Sequence, residues 1–418
     1  MIRCRSSRTL ILAVPAIVVI AAAGLAACGG SSAPPSPTVT VTASSTSSPS
    51  AIASTTAGPT AAVTTVAIAA AVGLKTDTLA LIDTSSQTVL VPGDGHILTD
   101  VQISPGGRYI AYTKLSGHDL YSLAPRTLMV YDIVAGRSKP VSFGAIAPAT
   151  VGGHTWISST ELVVVAFSIM PKNATTNGTL ARCDVTTWTA TALRDASGAI
   201  LKGDAPSASA DGASLAFITY SHYKPPVVNA SDVYTFGGSV TETLRLFHVS
   251  GGSVTNVASA KRWLDVEGSP FGRATISPDG GKIFTQQTGS DVGFGATIYN
   301  TDGSKPKRFG PFVFPGGATW DPSGSGELVF SGSMDTSAVG SGLLLYGQGV
   351  TQIFKTKKYY PSDVAWSPDG TSLAFTAFPM TIETPKAPDL WVIGVDGTGL
   401  HLLAKHASSP SWGTVVAP

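Results

Sequence analysis

The stretch that decides the fold is Trp366-Ser367-Pro368-Asp369-Gly370-Thr371-Ser372-Leu373-Ala374-Phe375. It reads as the end of one strand, a tight turn and the start of a second strand. Pro368 presets φ for the first central position of a type I turn, and Ser367 and Asp369 suit its polar corners. Gly370 takes the left-handed position that folds the chain back. Leu373, Ala374 and Phe375 then have the content of a buried strand.

The stretch recurs along the chain. Ile276-Ser277-Pro278-Asp279-Gly280 precedes Lys282-Ile283-Phe284, and Ile103-Ser104-Pro105-Gly106-Gly107 precedes Tyr109-Ile110-Ala111-Tyr112. Trp320-Asp321-Pro322-Ser323-Gly324 precedes Leu328-Val329-Phe330, and Ala208-Ser209-Ala210-Asp211-Gly212 precedes Leu215-Ala216-Phe217. Fainter copies are Trp156-Ile157-Ser158-Ser159 and the terminal Pro410-Ser411-Trp412-Gly413. Aligned on the residue before the turn, the copies step by 53, 52, 68, 44, 46 and 46 residues. A period in the forties with four short strands per unit is the signature of a β-propeller.

The ends complete the count. Val63 to Leu74, Thr78 to Asp83 and Thr88 to Val91 supply three strands, and a segment around Ser409 to Val415 supplies the fourth. A composite blade of this kind removes the open edges of the ring by strand pairing. Six uninterrupted units and one composite give a single all-β propeller of seven four-stranded blades over 63–418. Six blades is the alternative, because the unit at 151–194 is the most degenerate copy. The Asp-Gly-turn repeat resembles the WD40-like repeat of TolB-type propellers over nearly everything after residue 63. That resemblance implies a periplasmic interaction module.

Composition agrees with many turns joining apolar strands: 45 glycines, 28 prolines and only 13% charged residues in 418. A formal net charge of +1 gives no case for a nucleic-acid partner.

Residues 1–27 read as a secretion signal. Arg3, Arg5 and Arg8 form a basic region, and Leu10 to Ala23 an apolar one too short for a membrane span. Leu25-Ala26-Ala27-Cys28 matches a bacterial lipobox, so Cys28 is expected to carry a diacylglycerol and become the mature N-terminus. Residues 28–62 are rich in Ser, Thr, Pro and Ala, and no charged residue occurs between Arg8 and Lys75. Such a segment is too poor in large apolar groups to fold and reads as a tether. Its alanine and threonine richness resembles actinobacterial lipoproteins. Localisation on the outer face of the cell membrane, through the lipid, follows as the expectation.

For function, the pattern is lopsided. The loops between the second and third strands of each repeat are long (114–127, 168–178, 220–242, 286–296, 332–341 and 379–388), whereas the turns after the first strands are short. Insertions that map to one face of a repeat array mark its binding face. His118, Tyr121, Tyr220, His222, Tyr223, Tyr234 and Phe236 are the candidate contact residues there, toward an envelope protein or peptide, or a glycan. No serine-hydrolase elbow, metalloprotease motif or phosphate loop occurs, so no catalytic residue is assigned. The seven histidines show no metal-ligand spacing, and no cofactor is expected. Asp100, Asp204, Asp265, Glu267 and Asp363 lie near first strands, and several precede them. There they could ring a channel mouth and hold Ca²⁺, but solvated loop ends are the plainer reading. His154 and Cys183 read as structural, Cys183 as a buried thiol. The leading expectation is a non-catalytic binding or scaffolding module. A carbohydrate binder or a hydrolase or lyase at the channel mouth is the alternative, and a sensor propeller a third reading.

Overall fold

The computed structural model describes residues 64–416 apart from 74–76, 84–85, 117–123, 170–175, 226, 229–234, 237, 265–268, 288–293, 313–315, 333–340 and 380–386. Six stretches each fold as a four-stranded antiparallel meander, and we call them units I to VI: 97–140, 150–192, 202–263, 273–312, 318–356 and 359–404. Units II and III join as one eight-stranded sheet, because Gly178 pairs with Gly203 and Thr179 with Lys202. One further sheet is composite, in the order Gln87–Val91, Thr78–Ile82, Thr64–Val72, Ala407–Val416. The N-terminal strand Thr64–Val72 pairs with the C-terminal one from Thr64↔Val416 to Val72↔Ala407. The chain is therefore a β-propeller closed by a sheet from both ends.

Unit II, the faintest in sequence, is complete. Its strands are Thr150–Trp156, Glu161–Phe167, Gly178–Asp184 and Thr189–Ala192. Other bonds replace the missing Pro-Asp-Gly. The Ser158 hydroxyl accepts the Thr160 and Glu161 amides at 3.2 and 3.0 Å, and Arg182 donates twice to Glu161 at 2.8 and 2.6 Å.

The recurring turn works through its serine. Ser367 is buried, and its hydroxyl donates to Asp369 Oδ1 at 2.6 Å while accepting the Ser372 amide at 2.9 Å. Asp369 also accepts the Thr371 amide at 3.1 Å, and Gly370, at φ +70°, closes the turn on the Ser367 carbonyl at 3.0 Å. The same set recurs at Ser277 with Asp279 and at Ser209 with Asp211. These donors hold the three aspartates below the usual carboxylate range, the serine bond being the main cause.

Neighbouring units are stitched at their first strands. The indole N–H of Trp156 donates to the Gln102 carbonyl at 3.1 Å, that of Trp320 to Thr275 at 3.0 Å and that of Trp366 to Thr319 at 3.0 Å. Where the tryptophan is absent, hydroxyls serve: Ser411 accepts the Ile103 amide at 2.9 Å, Thr155 the Ala208 amide at 3.3 Å and Ser207 the Ile276 amide at 3.1 Å. Behind these bonds lie apolar clusters, each shared by two successive sheets. Ala111 and Leu128 meet Trp156, Val163 and Leu180 meet Phe217, and Leu244 meets Ile283. Phe284 meets Phe330, Val329 meets Phe375, Leu390 meets Ile68, and Val415 meets Ile110. Strands packed on both faces explain runs such as Leu162–Val163–Val164–Val165, all fully buried.

Turn glycines lean directly on the preceding unit. A Cβ on Gly212, whose φ is +68°, would lie 1.8 Å from the Ile157 carbonyl oxygen. Gly198 has φ +83° with nothing within 4 Å of such a Cβ. Gly198→Ala is thus expected to cost only the backbone penalty of about 1–2 kcal/mol. Gly212→Ala should cost clearly more, since unit III must also back away from unit II. Urea unfolding of both variants measures the difference, and equal losses would refute the close approach.

Candidate functional site

One element departs from the regular repeat. In unit III the second, third and fourth strands are Ser214–Lys224, Ser239–His248 and Ser253–Trp263, of 11, 10 and 11 residues. The second strand of unit I has 7 residues and that of unit IV has 5. Four additional residues carry strands about 13 Å further at ~3.3 Å each. The result is a three-stranded arm beyond the blade, with Lys224, Ser239 and Trp263 in register across its end. Beyond the arm, Val227–Val228 pairs with Thr235–Phe236.

The arm is fixed at its base by buried polar groups. Glu242 is fully buried. Its Oε1 lies 2.8 Å from Arg262 Nε, off the axis of a good hydrogen bond, and its Oε2 accepts the Ser269 hydroxyl at 2.6 Å. Burial pushes the Glu242 carboxyl up, against the opposing pull of Ser269 and Arg262. The Tyr220 hydroxyl stands beside the Asp204 carboxylate, and burial raises the pKa of both groups. Asn177 clamps the Tyr220 backbone twice, donating to its carbonyl at 2.8 Å and accepting its amide at 2.9 Å. A buried ion pair is weak support for net stability, but it specifies one arrangement because breaking it strands a charge.

The tip is exposed. Tyr223 is 46% and Trp263 41% accessible, and Lys261 Nζ stands 4.0 Å from the Trp263 ring centre. His222 is exposed at φ +52°, in the irregularity between Ser221 and Lys224.

The seven candidate contact residues therefore separate. His222 and Tyr223 lie together at the tip. Tyr220, expected on the binding face, instead turns its hydroxyl inward to Asp204. Phe236 lies in a paired strand, while His118, Tyr121 and Tyr234 fall outside the described residues. Trp263 and Lys261 were not singled out from the sequence. The sequence signal for them is the 68-residue step of this repeat, whose surplus is partly strand rather than loop.

The acidic set also sorts differently from expectation. Asp100 and Asp363 are half-buried on first strands and line a cavity of about 660 Å³ at the ring centre, so neither is a solvated loop end. Gln102, Thr275, Thr319, Ser409 and Ser411 share that wall. Asp204, expected to be solvated, is held inward at the arm base. Asp265 and Glu267 lie outside the described residues. Among the described residues, no three His, Cys, Asp or Glu side chains come together as a metal site. Cys183 is fully buried in the third strand of unit II, and desolvation pushes its thiol up to about 12.

His154 is buried between units I and II, and neither ring nitrogen has a well-formed hydrogen bond among the described residues. Burial lowers its pKa from 6.5, with the Asp100 charge pulling the other way. A histidine with a depressed folded pKa binds protons more readily unfolded, so stability should fall as pH drops below about 6.5. Comparing unfolding free energies from pH 7 to 5, His154→Gln should flatten this decline relative to the parent. A parallel decline in the variant would show that His154 does not titrate on unfolding.

Fold and site define a β-propeller bearing a projecting arm. No protein-family model matches the sequence, and comparison with curated proteins finds no match. Solved structures do match. An oligogalacturonate lyase from Vibrio parahaemolyticus aligns at 12% identity and TM-score 0.50, covering 82% of this chain and 85% of that one. TolB from Acinetobacter baumannii aligns at 13% and 0.42, covering 83% of this chain and 66% of TolB. The β-propeller domain of the Trilobed protease from Pyrococcus furiosus aligns at 13% and 0.49, covering 79% and 88%. At such identities the likeness shows the fold alone.

Proposed function

We propose that this chain is a seven-bladed extracytoplasmic propeller acting as a binding or scaffolding module, with the arm of unit III as its contact surface for an envelope protein or peptide. The observation that carries the reading is the arm itself: three overlong strands with a buried, paired base and an exposed Tyr223, Trp263 and Lys261 tip. Exposed aromatic groups on a rigid support are what interface anchors require. The seven blades count unit II and unit III separately and add the closing sheet. The lipobox at Cys28 and the uncharged segment after it support attachment to the outer face of the membrane, with 28–62 as the tether.

A second reading has one observation in its favour. The central cavity, at about 660 Å³, falls within the size range of small-ligand pockets, and its hydroxyls and carboxylates suit a carbohydrate or a hydrolytic or lyase site.

Full-length protein in detergent, used as bait against envelope extract, tests the first reading. Substituting Tyr223→Ala and Trp263→Ala together should reduce retention of a specific partner at least tenfold while leaving the melting temperature within a degree or two. Deleting the whole 221–241 segment would be a poorer probe, because it removes the start of the strand that carries Glu242. Unchanged retention would discard the arm as the contact surface. In fractionated cells, Cys28→Ser should move the protein from the membrane pellet to the soluble fraction. Continued pelleting would remove the lipid from the reading.

A further inference from the structure

One face of unit III carries a polar row within an apolar interface. Strand register sets Asp204 opposite Ile218, Tyr220 opposite Glu242 and Arg262 opposite Val240. Side chains two apart share a face, so Asp204, Tyr220, Glu242 and Arg262 run diagonally across all four strands on one side. That side packs on unit IV. Ile218 and Leu244 meet Phe271, Ile276 and Ile283 in one cluster, with Tyr220 and Ala260 packed against it. The row therefore lies between two units, at the root of the arm.

Its charges do not balance. Among the described residues the row holds two carboxyl groups and one guanidinium. Arg262 is committed to Glu242, with Nε 2.8 Å from Oε1, and Ser269 donates to Oε2 at 2.6 Å. Asp204 accepts the Ala205 amide at 2.8 Å and has the neutral Tyr220 phenol beside it. Lys202, two residues earlier on the same strand, is exposed to solvent. From unit IV come Phe271 and the phenol of Tyr299, whose rings meet edge-on at 6.2 Å. Asp265, Glu267 and the Arg273 side chain lie outside the described residues. Ionising both carboxyls would leave one negative charge in this interface without compensation, which is costly. A proton on one of them restores neutrality. Desolvation pushes the pKa of Asp204 and of Glu242 up. Glu242 keeps the arginine, so the proton belongs on Asp204.

We propose that a proton held on Asp204 seats the arm against unit IV, and that losing it loosens the arm, so that pH governs the surface at the tip. The proposal deepens the reading of the arm as a contact surface and rests on it for its use, though not for its operation. A carboxyl whose pKa is raised on folding contributes stability below its unfolded value, near 3.8 for aspartate, and loses it as pH rises through the folded value. The arm therefore loosens with rising pH.

The indole ¹H–¹⁵N resonance of Trp263 in the full-length protein reads the seating, and its absence from Trp263→Phe assigns it. A His222→Gln background removes the imidazole at the tip from the titration. From pH 4 to 9 the resonance should follow a one-proton titration, and in Asp204→Asn it should keep its acid position throughout. The urea midpoint of Asp204→Asn should also gain on the parent's progressively as pH rises. Asp204→Ser supplies a second neutral variant where the amide does not fit. A resonance that does not titrate, a titration unchanged in the neutral variants, or a midpoint difference independent of pH would each overturn the proposal. No partner enters these measurements, so their failure is distinct from failure of the arm to retain one.

Discussion

The structure depends on the pairing of Thr64–Val72 with Ala407–Val416. Every unit buries both faces of its sheet, and each face needs a neighbour. In a row of such units the first and last would each expose an apolar face. The N-terminal strand prevents this by completing a sheet that packs on unit VI through Ile68 and Ala80 and on unit I through Leu79 and Val415. Strand pairing spread over most of two long strands gives the closure many hydrogen bonds of about 1 kcal/mol net each, so no single one is decisive.

The two ends of each blade are governed by different chemistry. At the turn end of units III, IV and VI a buried serine hydroxyl joins an aspartate to the next strand's amide, and at Gly212 a positive-φ glycine sets backbone against the backbone of the preceding unit. Little can vary there. At the opposite end no such constraint operates, and unit III extends its strands into an arm. The arm keeps a single geometry because Glu242, Arg262, Asp204 and Tyr220 are paired within its base.

Much of the fold was legible in the sequence because the turn chemistry is local. Pro368, Asp369 and Gly370 act within four residues, so their repetition exposes the unit length, and the strand alignment at both chain ends predicts the composite sheet. What Trp366 does was less legible. Its indole reaches a carbonyl 47 positions earlier, and no local pattern distinguishes that role from simple burial. The site was harder still. Tyr220 and Tyr223 look equivalent as aromatics in one insertion, yet strand register and the bulge after Ser221 send one inward to Asp204 and the other outward. Trp263 becomes visible only once Ser239 and Lys224 are placed beside it. Asp204 is hard to read from sequence for the same reason: the Tyr220 side chain it faces lies sixteen residues away.

The composite sheet has a topological consequence. Thr64 sits directly opposite Val416, so the first and last described strands end side by side. A short linker across that gap would make the backbone cyclic, and the ring would then have no privileged starting point. The chain could be opened at another surface connection between units while every strand kept its neighbours. The order of the units around the channel matters to this architecture, and the place where the chain begins does not.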